Sequence, residues 1–170
     1  MNLGLSGKTA VVTGAGRGLG EDICRRLAGE GARVFALSRT QSDLEKLVTD
    51  MGGEADGHRF AAVDLAAEDG PAQAIAAVEA AGVTPDILVN NVGGNLGYTD
   101  PLGPVDEWRR VMRLNVEIAI ELNAAFIPPM RAKKWGRVVH VSSIVALDSQ
   151  GPQSRKHAPP CPIFSRAWGG

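Results

Sequence analysis

A glycine-rich segment near the N-terminus has the residue types and spacing of a phosphate-binding turn. It is Thr13-Gly-Ala-Gly-Arg-Gly-Leu-Gly20, directly after a short β-branched segment and directly before a pattern typical of a helix. Glycine lets the backbone turn tightly and approach a pyrophosphate without a Cβ in the way. The helix would present free N–H groups and the positive end of its dipole to the anion. The segment predicts a nucleotide-binding turn, with a tight strand–helix turn without ligand as the alternative.

Chemically useful residues also follow the other predicted strands, at the point where each strand ends. The set comprises Gly14, Ser38, Asp64, Asn90 and Ser143. In a doubly wound sheet, ligands bind beyond the carboxyl ends of the strands, so we expect these residues to meet in one crevice. Taken singly, Asp64 and Asn90 would be turn or loop residues, and Ser143 would be a hydroxyl that caps local backbone. Together they predict a nucleotide cleft.

Strands and helices alternate along the chain up to residue 151. Short apolar segments rich in β-branched residues predict strands at 9–13, 33–37, 58–63, 86–89 and 137–141. Apolar residues at helical spacing predict helices at 19–30, 42–51, 68–81 and 105–130. Pro128 and Pro129 are expected to disturb the last of these helices. Apolar strands flanked by helices imply βαβ units and a parallel sheet covered on both faces.

The composition is that of a globular protein and excludes several classes. Of the 170 residues, 44% are hydrophobic and 22% charged, and the net charge is −1. A wholly disordered chain and a basic nucleic-acid-binding surface are therefore excluded, and no apolar run is long enough to span a membrane. Cys24 and Cys161 lack disulfide-like or metal-like spacing, and the N-terminus lacks a secretory pattern. We therefore expect a cytoplasmic protein of one domain.

Several motifs occur in an order that resembles the short-chain dehydrogenase/reductase family. They are the spacing Thr13-Gly14-x-x-x-Gly18-x-Gly20, Asp64, Asn90-Asn91-Val92-Gly93, Asn115, and Gly136-Arg-Val-Val-His-Val-Ser-Ser143. The resemblance covers residues 5–151, and the general type is similar to the 3-oxoacyl carrier-protein reductases and related NADP reductases. It implies an α/β fold with a Rossmann-type doubly wound parallel sheet, with strand order 3-2-1-4-5 retained and the C-terminal side incomplete.

The resemblance also implies roles for individual residues. Asn115 would hold an ordered water and link a proton relay, although an asparagine inside a helix can simply face solvent. Ser143 would donate a hydrogen bond to the substrate carbonyl. No metal site is predicted. The implied cofactor-binding residues are Gly14, Arg17, Gly18, Leu19, Gly20, Ser38, Arg39, Asp64, Leu65, Asn90, Asn91 and Gly93.

The end of the second strand bears on which nicotinamide cofactor binds. An acidic residue there would accept hydrogen bonds from the adenine ribose and repel a 2′-phosphate, but this chain has Ser38 followed by Arg39. Arg17 lies in the glycine turn, so two guanidinium groups could form charge-assisted bonds with a phosphate. NADP(H) is therefore predicted over NAD(H), with a solvated surface charge as the alternative for Arg39.

The sequence lacks the proton donor that the resemblance leads us to expect. Reduction of a carbonyl needs a donor beside the developing alkoxide, and the family uses Tyr-x-x-x-Lys shortly after the serine. Tyr98 is the only tyrosine and lies far upstream, where a loop or cleft aromatic is the simpler interpretation. Lys156 is the only lysine after Ser143. His157 has proton-donor chemistry, but an exposed histidine is the simpler interpretation.

The resemblance stops near Gly151-Pro152. Residues 1–151 are expected to form an NADP-binding domain, and residues 152–170 an irregular Pro-rich tail without an apolar period. Phe164-Ser-Arg-Ala167 resembles a segment that follows the Tyr-x-x-x-Lys helix in the family. This suggests a reading-frame disturbance and a truncated chain, with a genuine short protein as the alternative. A sheet without its last strands would expose an edge at the fifth strand, and the family's dimer interface would be incomplete.

Three functions remain open. The leading prediction is an NADP(H)-dependent oxidoreductase that reduces a carbonyl or oxidises an alcohol, inactive or impaired because Tyr-x-x-x-Lys is absent. The second is a non-catalytic NADP(H)-binding module or regulatory subunit. The third is a Rossmann-like methyltransferase, against which Asn90-Asn91 and Ser143 argue. The expected partners are a small-molecule carbonyl or alcohol and a second copy of the chain, with neither nucleic acid nor membrane.

Overall fold

Five parallel strands form one sheet in the computed structural model, which describes residues 3–98, 100 and 102–143. The strands are β1 (Thr9–Thr13), β2 (Arg33–Ser38), β3 (Arg59–Ala62), β4 (Ile87–Asn90) and β5 (Arg137–His140). Their order in the sheet is β3-β2-β1-β4-β5. The chain moves outward from β1 to β3 and then crosses back to β4. This confirms the predicted Rossmann-type order and places a topological switch point between β1 and β4, where such sheets bind ligands.

Five α-helices accompany the strands within the described part of the chain. They are α1 (Gly18–Gly29), α2 (Gln41–Asp50), α3 (Gly70–Ala80), α4 (Val105–Met112) and α5 (Ile118–Ala132). The long helical region predicted at 105–130 is observed, but a π-helical turn at Arg113–Glu117, which was not predicted, separates it into α4 and α5. Pro128 and Pro129 lie inside α5 without ending it. A short 3-10 helix at Glu54–Asp56 was not predicted.

The sheet carries an apolar layer on each face, because alternate residues of a strand point to opposite sides. The layer shared with α1 and α2 contains Ala10, Val12, Cys24, Val34, Ala36, Leu44 and Leu47. The layer shared with α3 and α5 contains Val11, Phe35, Leu37, Val78, Leu88, Leu122 and Phe126. Coverage on both faces explains why the central strands β1, β2 and β4 are apolar along most of their length rather than alternating, as predicted from the sequence.

A buried histidine, His58, links the start of β2 to the segment before β3 by a hydrogen bond. His58 Nδ1 accepts a hydrogen bond of 3.1 Å from the Val34 backbone N–H, and the side chain is buried. Burial lowers the pKa of His58, and the nearby carboxylate of Asp56 opposes that shift. The ring is therefore neutral at pH 7, which leaves Nδ1 free to accept the bond.

The pH dependence of stability between pH 7 and 5 follows from this histidine. Below its ordinary pKa of about 6.5, the unfolded chain takes up a proton before the folded chain does, so the free energy of unfolding falls as the pH falls. His58→Asn keeps an acceptor near the position of Nδ1 but does not titrate, and we expect a shallower pH slope. His58→Leu orphans the Val34 N–H and should lose about 2 kcal/mol at pH 7. Urea unfolding at pH 7, 6 and 5 measures both effects, and an unchanged slope in His58→Asn would contradict the first.

Candidate functional site

A cavity of about 460 Å³ lies at the carboxyl ends of the strands beside the switch point. Its lining includes residues of the glycine turn and of the loop that follows β4. Many of the residues predicted to bind the cofactor line it together. These residues are Gly14, Arg17, Ser38, Arg39, Asp64, Leu65, Asn91 and Gly93.

The glycine turn adopts backbone conformations that favour glycine. Gly14 has φ +65° and Gly18 has φ +58°, both in the left-handed region. A Cβ on Gly20 would overlap the Gly14 carbonyl oxygen and lie 2.7 Å from Asn91 Nδ2. The turn, the start of α1 and the loop after β4 therefore meet more closely than any side chain at residue 20 would permit.

The first turn of α1 lies directly behind this turn and contains Gly18, Leu19 and Gly20. Leu19 is 56% exposed. Arg17, the N-cap residue, makes no side-chain capping hydrogen bond. The first N–H groups of a helix have no partners inside the helix. Without a side-chain cap they can donate to an anion, which the helix dipole also attracts.

Thr13, the buried first residue of the glycine motif, holds the turn against the loop after β4, a contact that was not predicted from the sequence. Thr13 Oγ1 accepts hydrogen bonds from the backbone N–H groups of Asn91 at 2.9 Å and Val92 at 3.0 Å, and donates to the Val89 carbonyl at 3.3 Å. Asn91 Nδ2 donates in return to the carbonyls of Thr13 at 3.0 Å and Gly14 at 3.3 Å. A threonine at the end of a buried strand was the only signal available for this contact.

Thr13→Val is a near-isosteric test of this contact. The valine cannot accept a hydrogen bond, so the N–H groups of Asn91 and Val92 lose their partner. We expect a loss of about 2 kcal/mol in the free energy of unfolding, together with weaker binding of any ligand in the cavity. Thr13→Ser keeps the hydroxyl and should lose clearly less. Urea unfolding of both variants measures the difference, and equal losses would assign the effect to packing instead.

Asp64 both lines the cavity and forms a local turn. Its Oδ1 accepts a hydrogen bond of 3.0 Å from the Ala66 backbone N–H, and its carbonyl accepts one of 3.1 Å from Ala67. The side chain is exposed to solvent. One carboxylate oxygen thus shapes the turn, and the interpretations as a turn residue and as a cavity residue are compatible.

Asn115 is held by the loop after β4 rather than facing solvent alone. Its Nδ2 donates to the carbonyls of Gly94 at 2.7 Å and Val111 at 2.8 Å, and its Oδ1 accepts from the Gly94 N–H at 3.0 Å. A Cβ on Gly93 would lie 2.8 Å from Asn115 Oδ1. Asn115 lies in the π-helical turn, a feature often found at functional sites, and it fixes a loop that lines the cavity.

Six predicted site residues are not part of the cavity lining, namely Gly18, Leu19, Gly20, Asn90, Asn115 and Ser143. Asn90 is 5% exposed, and its Nδ2 donates to Asn123 Oδ1 at 3.1 Å beneath the loop. Ser143 is exposed beyond the end of β5 and is the last residue that the structure describes. Tyr98 lies outside the lining as well, and its hydroxyl accepts a hydrogen bond of 3.1 Å from Arg110 Nη1. The predictions for Lys156, for His157 and for the tail at 152–170 fall outside the described residues.

Other kinds of site are not found in the part of the chain that the structure describes. No group of three or more histidine, cysteine, aspartate or glutamate side chains there could hold a metal ion. No helix among the same residues is both long and apolar enough to cross a membrane. The Cys24 thiol is buried, and burial raises its pKa to about 12, so it is a poor nucleophile.

Comparison with known proteins links this geometry to one family. A family model described as short chain dehydrogenase matches residues 8–154. The chain is 31% identical over 159 residues to the rhamnolipids biosynthesis 3-oxoacyl-[acyl-carrier-protein] reductase of Pseudomonas aeruginosa, which covers 91% of this chain and 62% of that protein. It spans about half the length of the curated relatives that it matches, with shares such as 47% and 62%.

Solved structures agree with this likeness. L-Sorbose reductase from Gluconobacter frateurii, complexed with NADPH and L-sorbose, has a TM-score of 0.76 and 33% identity, and the match covers 86% of this chain and 56% of that one. A 7α-hydroxysteroid dehydrogenase complexed with NADH and 7-oxo glycochenodeoxycholic acid also has a TM-score of 0.76, with 29% identity over 86% of this chain and 57% of that one. The similar structures therefore include complexes with both nicotinamide cofactors.

Proposed function

The chain belongs to the short-chain dehydrogenase family, and from that premise we propose that its cavity binds a nicotinamide dinucleotide, with NADP(H) preferred over NAD(H). The observation that carries the proposal is the lining of the cavity. The glycine turn, Asp64 and the Asn91–Gly93 segment come from three separate parts of the chain and meet in one space. Its volume of about 460 Å³ is within the usual range for small-molecule sites.

The residues present fit such a ligand. Gly14 and Gly18 give the turn the left-handed conformations that bring backbone close to a pyrophosphate. The uncapped start of α1 offers N–H groups to the same anion. Leu65 lines the cavity next to Asp64 and provides an apolar contact for a planar base. Gly18, Leu19 and Gly20 form the first turn of α1, and their backbone N–H groups are among those that would face the anion.

The preference for NADP(H) rests on two arginines at one end of the cavity. Arg17 and Arg39 are both exposed, and both line the cavity together with Ser38. A 2′-phosphate there would receive charge-assisted hydrogen bonds from guanidinium groups. Ser38 is neutral, so no carboxylate at the end of β2 opposes the phosphate.

On the basis of the family likeness, the proposed reaction is the reversible reduction of a carbonyl to an alcohol. A bound nicotinamide would supply or accept the hydride. Ser143 would donate a hydrogen bond to the substrate oxygen, and Asn115 would hold the loop after β4 and a water in the proton relay. Asn90 and Asn91 would fix the end of β4 beneath the ligand.

A non-catalytic NADP(H)-binding module is the second candidate, and the position of Tyr98 favours it. Tyr98 is the only tyrosine in the sequence, and its hydroxyl is bonded to Arg110 outside the cavity lining. The acid expected from Tyr-x-x-x-Lys thus has no counterpart at the cavity among the described residues. We also propose that residues 1–151 form one nucleotide-binding domain separate from the tail and that the protein is cytoplasmic. Its substrate would be a small carbonyl or alcohol, and its protein partner a second copy of the chain.

The test is fluorescence titration of the purified chain with NADPH and NADH, followed by turnover assays on a panel of ketones and alcohols. We expect NADPH to bind more tightly than NADH. Turnover would support the oxidoreductase, and binding without turnover would support the binding module. Binding of S-adenosylmethionine without binding of either nicotinamide would contradict both.

A further inference from the structure

Three polar side chains form a chain through the apolar layer between the sheet and α5. Asn90 Nδ2 donates to Asn123 Oδ1 at 3.1 Å, and Asn123 Nδ2 lies 3.5 Å from His140 Nε2. Asn90 ends β4, His140 ends β5, and the two are partners in the strand register. Asn123 lies on α5. The three side chains therefore link three elements at the edge of the sheet where the cavity opens.

Asn90 is poorly suited to be a packing group alone. Its side chain is 5% exposed, and its Oδ1 is buried without a hydrogen-bond partner among the described residues. Burying an amide with an unmet acceptor is less favourable than burying an apolar side chain of similar size. What the Asn90 amide contributes is therefore orientation rather than favourable burial. Its hydrogen bond from Nδ2 to Asn123 fixes the rotation of the side chain relative to α5.

His140 completes the chain as a neutral ring. Burial lowers its pKa, so the uncharged form is present at pH 7. An amide nitrogen can only donate, so the Nε2 atom facing Asn123 Nδ2 is the acceptor, and the ring proton is on Nδ1. The direction of donation thus runs from Asn90 to Asn123 to His140.

We propose that Asn123 and His140 are positioning residues for the cavity, acting through Asn90 on the ends of β4 and β5. The inference rests on the proposed nucleotide binding. Asn91 follows Asn90 directly and donates to the carbonyls of Thr13 and Gly14 in the glycine turn. The Asn90 carbonyl accepts a bond of 2.9 Å from the Val141 N–H, two residues before Ser143. A shift of the Asn90 backbone would therefore reach both the glycine turn, through Asn91, and the end of β5, through Val141.

The test separates positioning from stability with matched apolar variants. Asn123→Leu removes both contacts of the amide, and we expect the NADPH Kd to rise about fivefold. The double variant Asn90→Leu/Asn123→Leu removes both amides, so no buried amide is left without its partner. Its melting temperature should therefore be higher than that of Asn123→Leu, while the NADPH Kd stays raised. The control Phe126→Leu is a buried change on the same helix and should lower the melting temperature without changing Kd. All titrations are made where every variant is folded.

Failure of this inference can be distinguished from failure of the proposed function. An unchanged Kd in Asn123→Leu, or a double variant that recovers Kd together with stability, overturns the inference. If the wild-type chain binds neither NADPH nor NADH, the proposed function fails. NMR then tests separately whether the hydrogen bonds of Asn90, Asn123 and His140 position the ends of β4 and β5. Shifts of the Asn91 and Ser143 backbone amides and a changed His140 tautomer in Asn123→Leu, absent in Phe126→Leu, support it. Their absence in Asn123→Leu overturns it.

Discussion

Gly20→Ala should weaken NADPH binding strongly and destabilise the fold, although alanine is the better helix former. An added Cβ would overlap the Gly14 carbonyl oxygen and lie 2.7 Å from Asn91 Nδ2. Both neighbours are fixed, since Asn91 is bonded to Thr13 and Gly14, so the helix must move away from the turn. We expect the free energy of unfolding to fall by about 3 kcal/mol and the NADPH Kd to rise about 100-fold or more, equal to about 2.7 kcal/mol.

Gly29→Ala is the matched control, because it makes the same chemical change at the other end of α1. Nothing lies within 4 Å of a Cβ at Gly29. Alanine there should stabilise the protein by about 0.5 kcal/mol through helix propensity and leave nucleotide binding unchanged. Urea unfolding and NADPH fluorescence titration of both variants are the measurements. Equal behaviour of the two would show that the close approach at Gly20 is not what shapes the turn.

The sheet could be predicted from the sequence because each strand is a short apolar segment between helical patterns. The segment Thr9–Thr13 was predicted with the observed boundaries, and β2 differs by one residue. The strand order came from the family resemblance rather than from the patterns, since periodicity does not reveal which strands are neighbours. The π-helical turn at Arg113–Glu117 was missed because its residues keep the apolar spacing of an ordinary helix.

The site was predicted in outline because the ends of parallel strands share one edge of the sheet. That rule placed Gly14, Ser38 and Asp64 at one cavity, as observed. It did not distinguish side chains that face the cavity from those beneath it. Asn90 was grouped with the cofactor-binding residues, yet its side chain turns toward α5 and bonds to Asn123. Such a distinction depends on distant residues, and a single strand-end pattern carries no information on them.

Arg39→Ala should weaken NADPH binding far more than NADH binding. Arg39 lines the cavity with Ser38, and its loss removes a guanidinium from the place where a 2′-phosphate is proposed. Loss of Arg17 would have the same effect. A charge-assisted hydrogen bond contributes about 1.5 to 3 kcal/mol, so we expect the NADPH Kd to rise about 10-fold to 100-fold. The NADH Kd should change by less than about twofold, because that cofactor has no phosphate at this position.

The control for this change is Arg26→Ala, which removes an arginine from the exposed face of α1. Arg26 is paired with Asp22 and is not part of the cavity lining. Each change removes one positive charge, so any long-range electrostatic effect on a dinucleotide should appear in both variants and diminish with salt. A loss specific to Arg39→Ala and to NADPH assigns the effect to a local contact. Equal losses for NADPH and NADH would instead make Arg39 a general contact of the dinucleotide and would contradict the preference for NADP(H).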